Sequence, residues 1–299
     1  MKIALYNQHI TEASKSYIIE LFRQIELLSI EAYIEENFYR SLQQAIGLKK
    51  EYNTFNHHSQ LDESFDAMLT IGGDGTILRA ITYVRNTNIP FLGINTGRLG
   101  FLATALKDEI EATLQLLIQK KYHIKERSLL CVHTEPPTED LKNMNFALNE
   151  ISVSRKTSTS MITVETYLDG EFLTSYWADG LIVATPTGST GYSLSCGGPV
   201  ITPQAHNFVL TPIAPHNLNA RPLVIPDNTK ITLQANGREN ESFLSLDSRI
   251  FTIHNDTIIH LKKAAFTLKM IQINEQTFLK TLREKLLWGE DTRNTKTPN

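Results

Sequence analysis

The sequence predicts an α/β domain followed by an all-β domain, because the hydrophobic period changes along the chain. Up to about residue 125, short apolar runs alternate with segments whose apolar residues recur at helical spacing. After about residue 126, short segments of period two follow one another. The chain has 299 residues, and single hydrophobic cores stop growing near about 250 residues. We therefore predict an N-terminal parallel α/β sheet domain and a C-terminal β-sandwich domain.

The first domain is expected to span residues 1–125 and to contain a parallel sheet. Strand-like apolar runs lie at 3–6, 30–34, 67–71 and 89–94. Segments with helical spacing follow them, at 17–25, 38–46, 76–84 and 110–118. Strands that alternate with helices form parallel sheets covered on both faces, so ligands are expected at the loops after the strands' carboxyl ends.

The second domain is expected to span residues 126–275 and to consist of short strands. Asp169-Gly170 separates two of these runs and is typical of a hairpin turn, because both residues tolerate a positive φ. The strand candidates lie at 129–133, 146–153, 162–168, 172–176, 181–184, 208–213, 223–225, 231–235, 243–246, 250–253, 257–261 and 266–271. This succession of period-two segments predicts the β-sandwich.

The end of the chain is expected to return to the first domain as a helix over residues 276–289. The apolar stripe that predicts it consists of Phe278, Leu279, Leu282, Leu286 and Leu287. Gly289 is the expected end of the helix. Residues 290–299 are polar and lack apolar anchors, so a disordered tail is expected there.

Composition excludes several classes of function. Lys and Arg number 29 against 32 Asp and Glu, for a net charge of −3, so no basic excess indicates a nucleic acid or a membrane as partner. No run approaches the ~18 apolar residues of a membrane span or forms a signal peptide. Cys131 and Cys196 are too few for a disulfide framework, which favours a reducing compartment. A soluble cytoplasmic protein is expected.

The segment 181–200 is rich in hydroxyl groups and glycine. It begins with the apolar run Leu-Ile-Val-Ala and continues as Thr-Pro-Thr-Gly-Ser-Thr-Gly-Tyr-Ser-Leu-Ser-Cys-Gly-Gly-Pro-Val. Such a composition exposes backbone N–H groups and side-chain O–H donors at the end of a strand. These donors suit the phosphate and ribose groups of a nucleotide.

A carboxylate between glycines follows the apolar run that ends at residue 71. In Gly72-Gly73-Asp74-Gly75-Thr76, no Cβ atoms crowd the positions beside Asp74, so a substrate can come close. N–H groups at the start of the following helix favour anions such as phosphate. The structural alternative is that Asp74 only caps this helix. The chain has neither a P-loop nor a Gly-x-Gly-x-x-Gly motif, so a different phosphate-binding geometry is expected.

Several motifs, in order along the chain, resemble those of NAD kinases. They are residues 72–76, Asn149-Glu150, Asp179-Gly180, the run 185–195 with Gly197-Gly198-Pro199, residues 215–225 and the closing segment 282–288. The resemblance covers nearly the whole chain. It implies an α/β domain that carries a β-sandwich, with the chain end returning to the first domain, in agreement with the periodicity. It also implies a homo-oligomer, commonly a tetramer.

The resemblance implies phosphoryl transfer from ATP to the 2'-hydroxyl of the adenosine ribose of NAD, which gives NADP. Asp74 is expected to take the proton from that hydroxyl or to orient it. Gly75 and Arg79 are expected to contact the nucleotide. Arg79 lies one helical turn beyond the Asp74 turn, where it would neutralise a phosphate, and the structural alternative is an ion pair on the surface or between domains. A divalent metal ion, Mg²⁺, is expected to accompany ATP, without an assigned protein ligand. Such a transfer is catalysed mainly by positioning and by neutralising charge.

The resemblance also implies a set of contacts to the dinucleotide. Asn149 and Glu150 are expected to bond ribose hydroxyls or an exocyclic amine. Asp179 is expected to hold the nicotinamide or its ribose. Contacts to adenine and ribose, and a residue that lines the same pocket, are expected from Thr190, Gly191, Tyr192, Ser193, Leu194, Ser195 and Ala214.

Some positions depart from the usual family pattern. Trp177 stands where an arginine is common, so stacking becomes possible in place of charge recognition. Gly191 replaces the usual alanine, so the loop is expected to be looser. Arg249 places a cation where an amide is usual and is expected to strengthen contact with phosphate.

Two other functions remain open from the sequence. Phosphofructokinases and lipid or sphingoid kinases also use a Gly-Gly-Asp-Gly turn, but they leave the run 185–199 unexplained. A non-enzymatic sensor of NAD(H) or NADP(H) would use the same pocket without transferring phosphate. The intact Asp74 carboxylate argues against the sensor, because a sensor needs no base beside the ribose hydroxyl.

Overall fold

The computed structural model describes residues 1–97, 100–103, 105–157, 160–273 and 277–287. The chain forms two compact units. The N-terminal unit contains Met1–Lys125 and the described residues from Lys269 onward, and the β unit contains Glu126–Leu268. The fold class predicted from the sequence is confirmed, because a parallel α/β sheet, antiparallel β sheets and a final helix are present.

A mainly parallel sheet forms the centre of the N-terminal unit. Its strands are β1 Lys2–Tyr6, β2 Glu31–Glu35, β3 Asn53–Phe55, β4 Ala67–Ile71, β5 Phe91–Asn95, β6 Ala105–Leu106, β7 His123–Arg127 and β20 Leu268–Gln272. Their order is β3-β2-β1-β4-β5-β20-β7, with β6 paired to β5. Strands β4 and β5 pair in parallel and are buried along their whole length, as expected for apolar runs covered on both faces.

The helices are α1 Glu12–Leu27, α2 Glu36–Ile46, α3 Asp74–Val84, α4 Ile110–Ile118, α5 Tyr192–Ser195 and α6 Phe278–Leu286. In α1, Ile18, Leu21 and Ile25 recur at helical spacing and are buried against the sheet core. The final helix α6 lies in the N-terminal unit, as predicted, and the ring of Phe278 lies 6.0 Å from that of Phe101. None of the described helices has the length and apolarity needed to cross a membrane.

Antiparallel strands form the β unit. They are β8 Leu130–Glu135, β9 Phe146–Ala147, β10 Glu150–Arg155, β11 Ile162–Leu168, β12 Glu171–Ala178, β13 Gly180–Ala184, β14 Asn207–Ile213, β15 Leu223–Pro226, β16 Ile231–Asn236, β17 Glu241–Leu246, β18 Arg249–His254 and β19 Ile258–Lys263. One sheet has the order β15-β14-β13-β10-β17-β18 and another has the order β12-β11-β16-β19-β8-β9. Val164, Leu181 and Leu244 are among the alternating residues of both sheets that share one core.

Some elements differ from the sequence-based expectation. The run at 266–271, predicted as a strand of the β-sandwich, forms β20 and pairs in parallel with β5 in the N-terminal sheet. A short apolar run does not reveal which sheet it joins. The strand predicted at 146–153 is divided into β9 and β10 by Leu148 and Asn149. The disordered tail predicted at 290–299 lies outside the described residues.

Candidate functional site

The turn after β4 places Asp74 at the carboxyl edge of the parallel sheet. Gly72 has a φ of 144°, which favours glycine, and an added Cβ would lie 2.4 Å from Thr76 Oγ1. Gly73 precedes α3, and Asp74 is the first residue of that helix. The glycines therefore allow the chain to pass directly from strand to helix, at the edge where ligands bind in sheets of this type.

Three backbone N–H groups hold the Asp74 carboxylate. Phe101 N donates to Oδ2 at 2.8 Å, and Leu102 N and Ala103 N each donate to Oδ1 at 3.0 Å. Two donors use both lone pairs of Oδ1, whereas Oδ2 keeps one lone pair for another donor. The carboxylate therefore binds the loop 101–103. This geometry differs from the helix-cap alternative, in which Asp74 would bond the N–H groups of its own helix.

Gly100 leaves the space that the Asp74 carboxylate occupies. A Cβ on Gly100 would lie 1.9 Å from Asp74 Oδ1 and 2.7 Å from its Cγ. Real atoms do not approach so closely, so a side chain at position 100 and the observed carboxylate exclude each other. Position 100, directly before the loop 101–103 that donates to Asp74, therefore requires glycine.

Gly75 and Arg79 lie on the exposed side of α3. The N–H of Gly75 belongs to the first turn of the helix, where N–H groups have no acceptor within the helix. Burial raises the pKa of Tyr6 at the end of β1, the charge of Glu35 adds to the rise, and the charge of Arg79 opposes it. The Arg79 guanidinium is therefore close to the end of β1, where its charge favours an anion.

In the β unit, Asn149 and Glu150 meet the glycine- and hydroxyl-rich run. A Cβ on Gly191 would lie 2.9 Å from Glu150 Oε2 and 3.3 Å from Asn149 Nδ2, and a Cβ on Gly188 would lie 2.0 Å from Asn149 O. The two motifs, separated by about forty residues of sequence, are therefore in direct contact, as sites built from several loops require. The buried atoms Asn149 Oδ1, Glu150 Oε2 and Thr187 Oγ1 have no hydrogen-bond partner in the part of the chain that the structure describes. Buried polar atoms normally have one, so these atoms point to a ligand or ordered water.

The surroundings of Glu150 favour the uncharged form of its carboxyl. Burial raises the pKa of its carboxyl to about 8, the negative charge of Asp247 adds to the rise, and a hydrogen bond from Tyr192 N opposes it. A neutral carboxyl donates a hydrogen bond through one oxygen and accepts through the other. That pattern matches a hydroxyl group of a ligand, which also donates and accepts.

Several hydroxyl groups of the run 187–195 are used by the fold itself. Ser189 Oγ donates to Pro186 O at 2.7 Å and accepts from Ile201 N at 2.9 Å. Ser193 Oγ bonds Thr211 Oγ1 at 2.8 Å and is buried. Thr190 Oγ1 donates to Thr187 O at 3.2 Å. These side chains stiffen the turn, so the expectation that the hydroxyl groups are free donors for a nucleotide is not met at these three positions.

The remaining side chains of α5 are more accessible. Tyr192 is 45% exposed, and Ser195 is also exposed, while Leu194 is half-buried. Gly191 precedes the helix with its backbone next to Glu150. The Tyr192 ring thus offers an aromatic face beside the unpartnered Glu150 oxygen, which suits a base or a sugar.

Asp179 has a cationic partner that the sequence did not reveal. Arg155 Nη2 donates to Asp179 Oδ2 at 2.9 Å, and both side chains are partly exposed. The last residue of β10 thus supplies a cation beside the aspartate, although Trp177 stands where the family usually has arginine. The Trp177 ring is half exposed and meets the His216 ring edge-on, with centroids 4.4 Å apart. The sequence alone could not identify Arg155 as the partner of Asp179, because which side chains lie together on adjacent strands depends on how the strands pair.

Arg249 and Ala214 take positions that the sequence did not anticipate. Arg249 Nη1 donates to Met144 O at 2.7 Å, and Nη2 donates to Phe146 O. Its guanidinium therefore ties down the segment before Asn149, and the structure does not support the expected phosphate contact. Ala214 is exposed and has a φ of 43°, which is uncommon for a residue with a side chain.

A candidate metal centre made of protein side chains is not found among the described residues, where no three His, Cys, Asp or Glu side chains lie close enough together. The divalent metal ion expected with ATP is therefore assigned no protein cage. Mg²⁺ usually binds through one or two carboxylates and substrate phosphates, and it keeps several waters. A single carboxylate such as Asp74 fits that requirement.

Comparisons with known proteins agree over both units. A family described as the ATP-NAD kinase N-terminal domain matches residues 3–122, and one described as the ATP-NAD kinase C-terminal domain matches residues 148–273. An NAD kinase of Flavobacterium psychrophilum is 56% identical over 98% of this chain and 100% of its own. An NAD kinase of Flavobacterium johnsoniae is 55% identical over the same shares.

Solved structures show the same fold. A yeast NADH kinase complexed with NADH has a TM-score of 0.86 and 24% identity, and the match covers 99% of this chain and 90% of that one. An NAD kinase from Archaeoglobus fulgidus in complex with ATP has a TM-score of 0.74 and 26% identity, with 96% and 99% covered. Both units of the chain therefore have counterparts in the same solved proteins.

Proposed function

The chain belongs to the NAD kinase family, and we propose that Asp74 accepts the proton as NAD is phosphorylated to NADP. The reaction transfers a phosphoryl group from ATP to the 2'-hydroxyl of the adenosine ribose. The observation that carries the proposal is the set of hydrogen bonds that the Asp74 carboxylate accepts. The N–H groups of residues 101–103 leave a single lone pair on Asp74 Oδ2 and fix its direction.

The proton of the ribose hydroxyl leaves as the oxygen bonds to the γ-phosphorus. Asp74 Oδ2 takes that proton, while the bond between the γ-phosphorus and the bridging oxygen breaks and ADP leaves. Because three N–H donors already hold the carboxylate, it needs little reorganisation in the transition state. A general base placed in this way contributes roughly 10² to 10⁴ in rate.

The phosphates of ATP are proposed to lie at the start of α3. The free N–H of Gly75 and the nearby charge of Arg79 favour an anion there. A divalent metal ion, Mg²⁺, is proposed to enter with ATP and to neutralise charge on the transferred group. The negative charge of Asp74 would help to place it, and its ligands would be phosphate oxygens and water, because the one lone pair left on Asp74 Oδ2 is assigned to the ribose hydroxyl.

The dinucleotide is proposed to bind the polar groups of the β unit. Asn149 and Glu150 would bond ribose hydroxyls or an exocyclic amine through their unpartnered oxygens. Tyr192 would pack its exposed ring on the base, and the backbone of the surrounding turn would line the pocket. Further contacts are proposed for Asp179, Trp177 and Ala214, and for the backbone of the turn at Thr190, Gly191, Ser193, Leu194 and Ser195.

The protein is further proposed to be cytoplasmic and to act as a homo-oligomer, with four chains as the expected state. Trp177 and Phe172 on β12 are half exposed, and β12 is an edge strand, so this face suits burial against another chain. Light scattering on the purified protein measures the assembly. A mass equal to one chain would contradict the proposal.

NADP formation from ATP, Mg²⁺ and NAD tests the proposed function. Purified full-length protein is incubated with the three, and NADP is measured with an NADP-specific dehydrogenase. The position of the new phosphate is read by ³¹P NMR, where a 2'-phosphomonoester is expected. Binding of NAD without any NADP would contradict the proposal and favour a sensor. Turnover of a sugar phosphate or a lipid in place of NAD would favour another kinase.

Replacing Gly100 with alanine is expected to impair catalysis by displacing Asp74. The added Cβ would occupy the position of Asp74 Oδ1, so we expect kcat to fall about a hundredfold. Gly97→Ala is the matched control, because a Cβ there would lie 3.9 Å from Asn95 Oδ1, an ordinary van der Waals contact. An active Gly100→Ala enzyme, with kcat equal to that of the control, would show that the observed carboxylate position is not needed.

A further inference from the structure

Asp247 organises the turn that carries Asn149 and Glu150. Its Oδ2 accepts from Leu148 N at 3.0 Å, and its Oδ1 accepts from Asn149 N at 2.8 Å and from Glu150 N at 3.2 Å. In return, Asp247 N donates to Glu150 O at 3.0 Å. Successive N–H groups thus point at one carboxylate, and this arrangement coincides with the break between β9 and β10.

The Asp247 side chain is completely buried. It is 0% exposed and lies in the turn between β17 and β18, where its φ is 53°. The nearest cation is Arg249, whose Nη2 lies 3.8 Å from Asp247 Oδ2. Arg249 itself donates to the carbonyls of Met144 and Phe146. The residues before and after the break are therefore tied to the same β17–β18 turn.

A buried carboxylate is costly unless hydrogen bonds compensate for its lost hydration. Three N–H donors and a nearby guanidinium offset part of this cost, but burial outweighs them and raises the pKa of Asp247. Asparagine is also common at positive φ, but its single oxygen cannot accept from all three N–H groups. The carboxylate therefore holds the backbone of both residues of the pair, and Oε2 of one of them, Glu150, has no partner among the described residues.

We propose that Asp247 is the positioning residue that directs Asn149 and Glu150 towards the bound dinucleotide. The inference rests on the proposed function, in which those two residues contact NAD. Asp247 does not touch the substrate, because its side chain is completely buried and is held by backbone N–H groups. It fixes the turn, and its negative charge helps to keep the neighbouring Glu150 uncharged.

Asp247→Asn is expected to raise the KM for NAD about tenfold, with kcat and the KM for ATP unchanged. An asparagine oxygen keeps the bonds to Asn149 N and Glu150 N, but its amide group faces Leu148 N and removes the charge. Asp169→Asn is the matched control. Asp169 also has a positive φ and accepts a backbone N–H, from Lys230 at 2.9 Å, in a remote hairpin. An unchanged KM for NAD in a folded Asp247→Asn enzyme would overturn the inference.

A second readout separates positioning from a general loss of structure. The pKa of Glu150 is about 8, above its ordinary value of 4.5, because of burial and Asp247. Between these pH values, Glu150 is protonated in the folded protein and ionised in the unfolded chain, so unfolding releases a proton. The contribution of Glu150 to stability is therefore lost as pH rises to about 8. The groups around Glu150 are Asp247, Arg249 behind it, and Tyr192 on α5.

The pH dependence of stability is measured for the wild-type protein and for Glu150→Gln, and their difference isolates Glu150. This difference in the free energy of unfolding changes with pH up to the pKa of Glu150 and is constant above it. In the Asp247→Asn background we expect the difference to become constant at a lower pH. If it becomes constant at the same pH as without the Asp247 substitution, the assignment is overturned. Should Asp247→Asn fail to fold, Asp247→Ser, which keeps one acceptor, is measured in the same way.

If Asn149→Ala leaves the KM for NAD unchanged, the proposed function of the pair fails. If Asn149→Ala raises the KM and the Asp247 variants do not, only the present inference fails.

Discussion

Replacing Asp74 with asparagine is expected to lower kcat by roughly 10² to 10⁴ while the protein remains folded. The amide cannot take a proton from the ribose hydroxyl. Its oxygen can still accept from Leu102 N and Ala103 N, so most of the contact with the loop survives. The amide NH₂ group would face Phe101 N, which already donates, and the loop is expected to shift only locally. NADP formation under saturating NAD and ATP measures the effect.

Asp66→Asn is the control for the Asp74 variant. Asp66 lies in the same unit, and its Oδ2 accepts a backbone N–H from Lys2 at 2.7 Å. It precedes β4, whereas Asp74 follows β4, so the two carboxylates lie at opposite ends of the strand. The control is expected to keep full activity. An Asp74→Asn enzyme as active as the control would remove Asp74 from proton transfer.

The sequence could predict the elements that have a clear period. The parallel sheet, the antiparallel strands and α1 follow from apolar spacing, which is set by burial against one face or two. Short strands at the edges lack that signal. Strand β3 has three residues and β6 has two, and each has only one buried residue, so neither is long enough to show a period.

The sequence could also locate both motifs of the candidate site, but not what holds them. The glycines that flank Asp74 predicted close approach of a substrate, whereas the close approaches in the structure are those of Gly100 to Asp74 and of Gly188 to Asn149. The partners of the motifs come from distant segments. Asp74 is held by residues 27 to 29 positions later, and Asn149 by a residue 98 positions later. Backbone N–H groups exist at every residue, so composition cannot single out the ones that matter.

Hydroxyl-rich composition was a less direct guide to chemistry. It predicted free donors for the nucleotide, but Ser189 Oγ donates to Pro186 O and Ser193 Oγ bonds Thr211 Oγ1 in the folded turn. Buried hydroxyl groups need partners, and the nearest backbone carbonyls and side chains provide them. The same residues still matter for binding, because a stiff turn holds Gly191 against Glu150. The composition therefore identified the right turn. The atoms that this turn offers to a ligand are not the hydroxyl groups of Ser189 and Ser193.

The second large effect is expected from Gly188→Ala, which is predicted to destabilise the β unit by about 3 kcal/mol and to abolish NAD binding. The added Cβ would lie 2.0 Å from Asn149 O and 2.3 Å from its carbonyl carbon. These are backbone atoms, so relief requires movement of the whole turn. Because Asp247 bonds the N–H groups of that turn, the turn cannot move without breaking those bonds.

Gly197→Ala separates crowding from backbone strain. Gly197 lies in the same glycine-rich segment with a φ of 81°, and a Cβ there meets nothing within 4 Å. Its alanine variant is expected to lose about 1 to 2 kcal/mol through the left-handed conformation alone and to keep its affinity for NAD. Gly188 is constrained by space and not by a positive φ, so its variant tests the contact between the two motifs directly. Denaturant unfolding and calorimetric titration with NAD measure both effects. Equal NAD affinity in the two variants would mean that the contact between Gly188 and Asn149 does not shape the dinucleotide site.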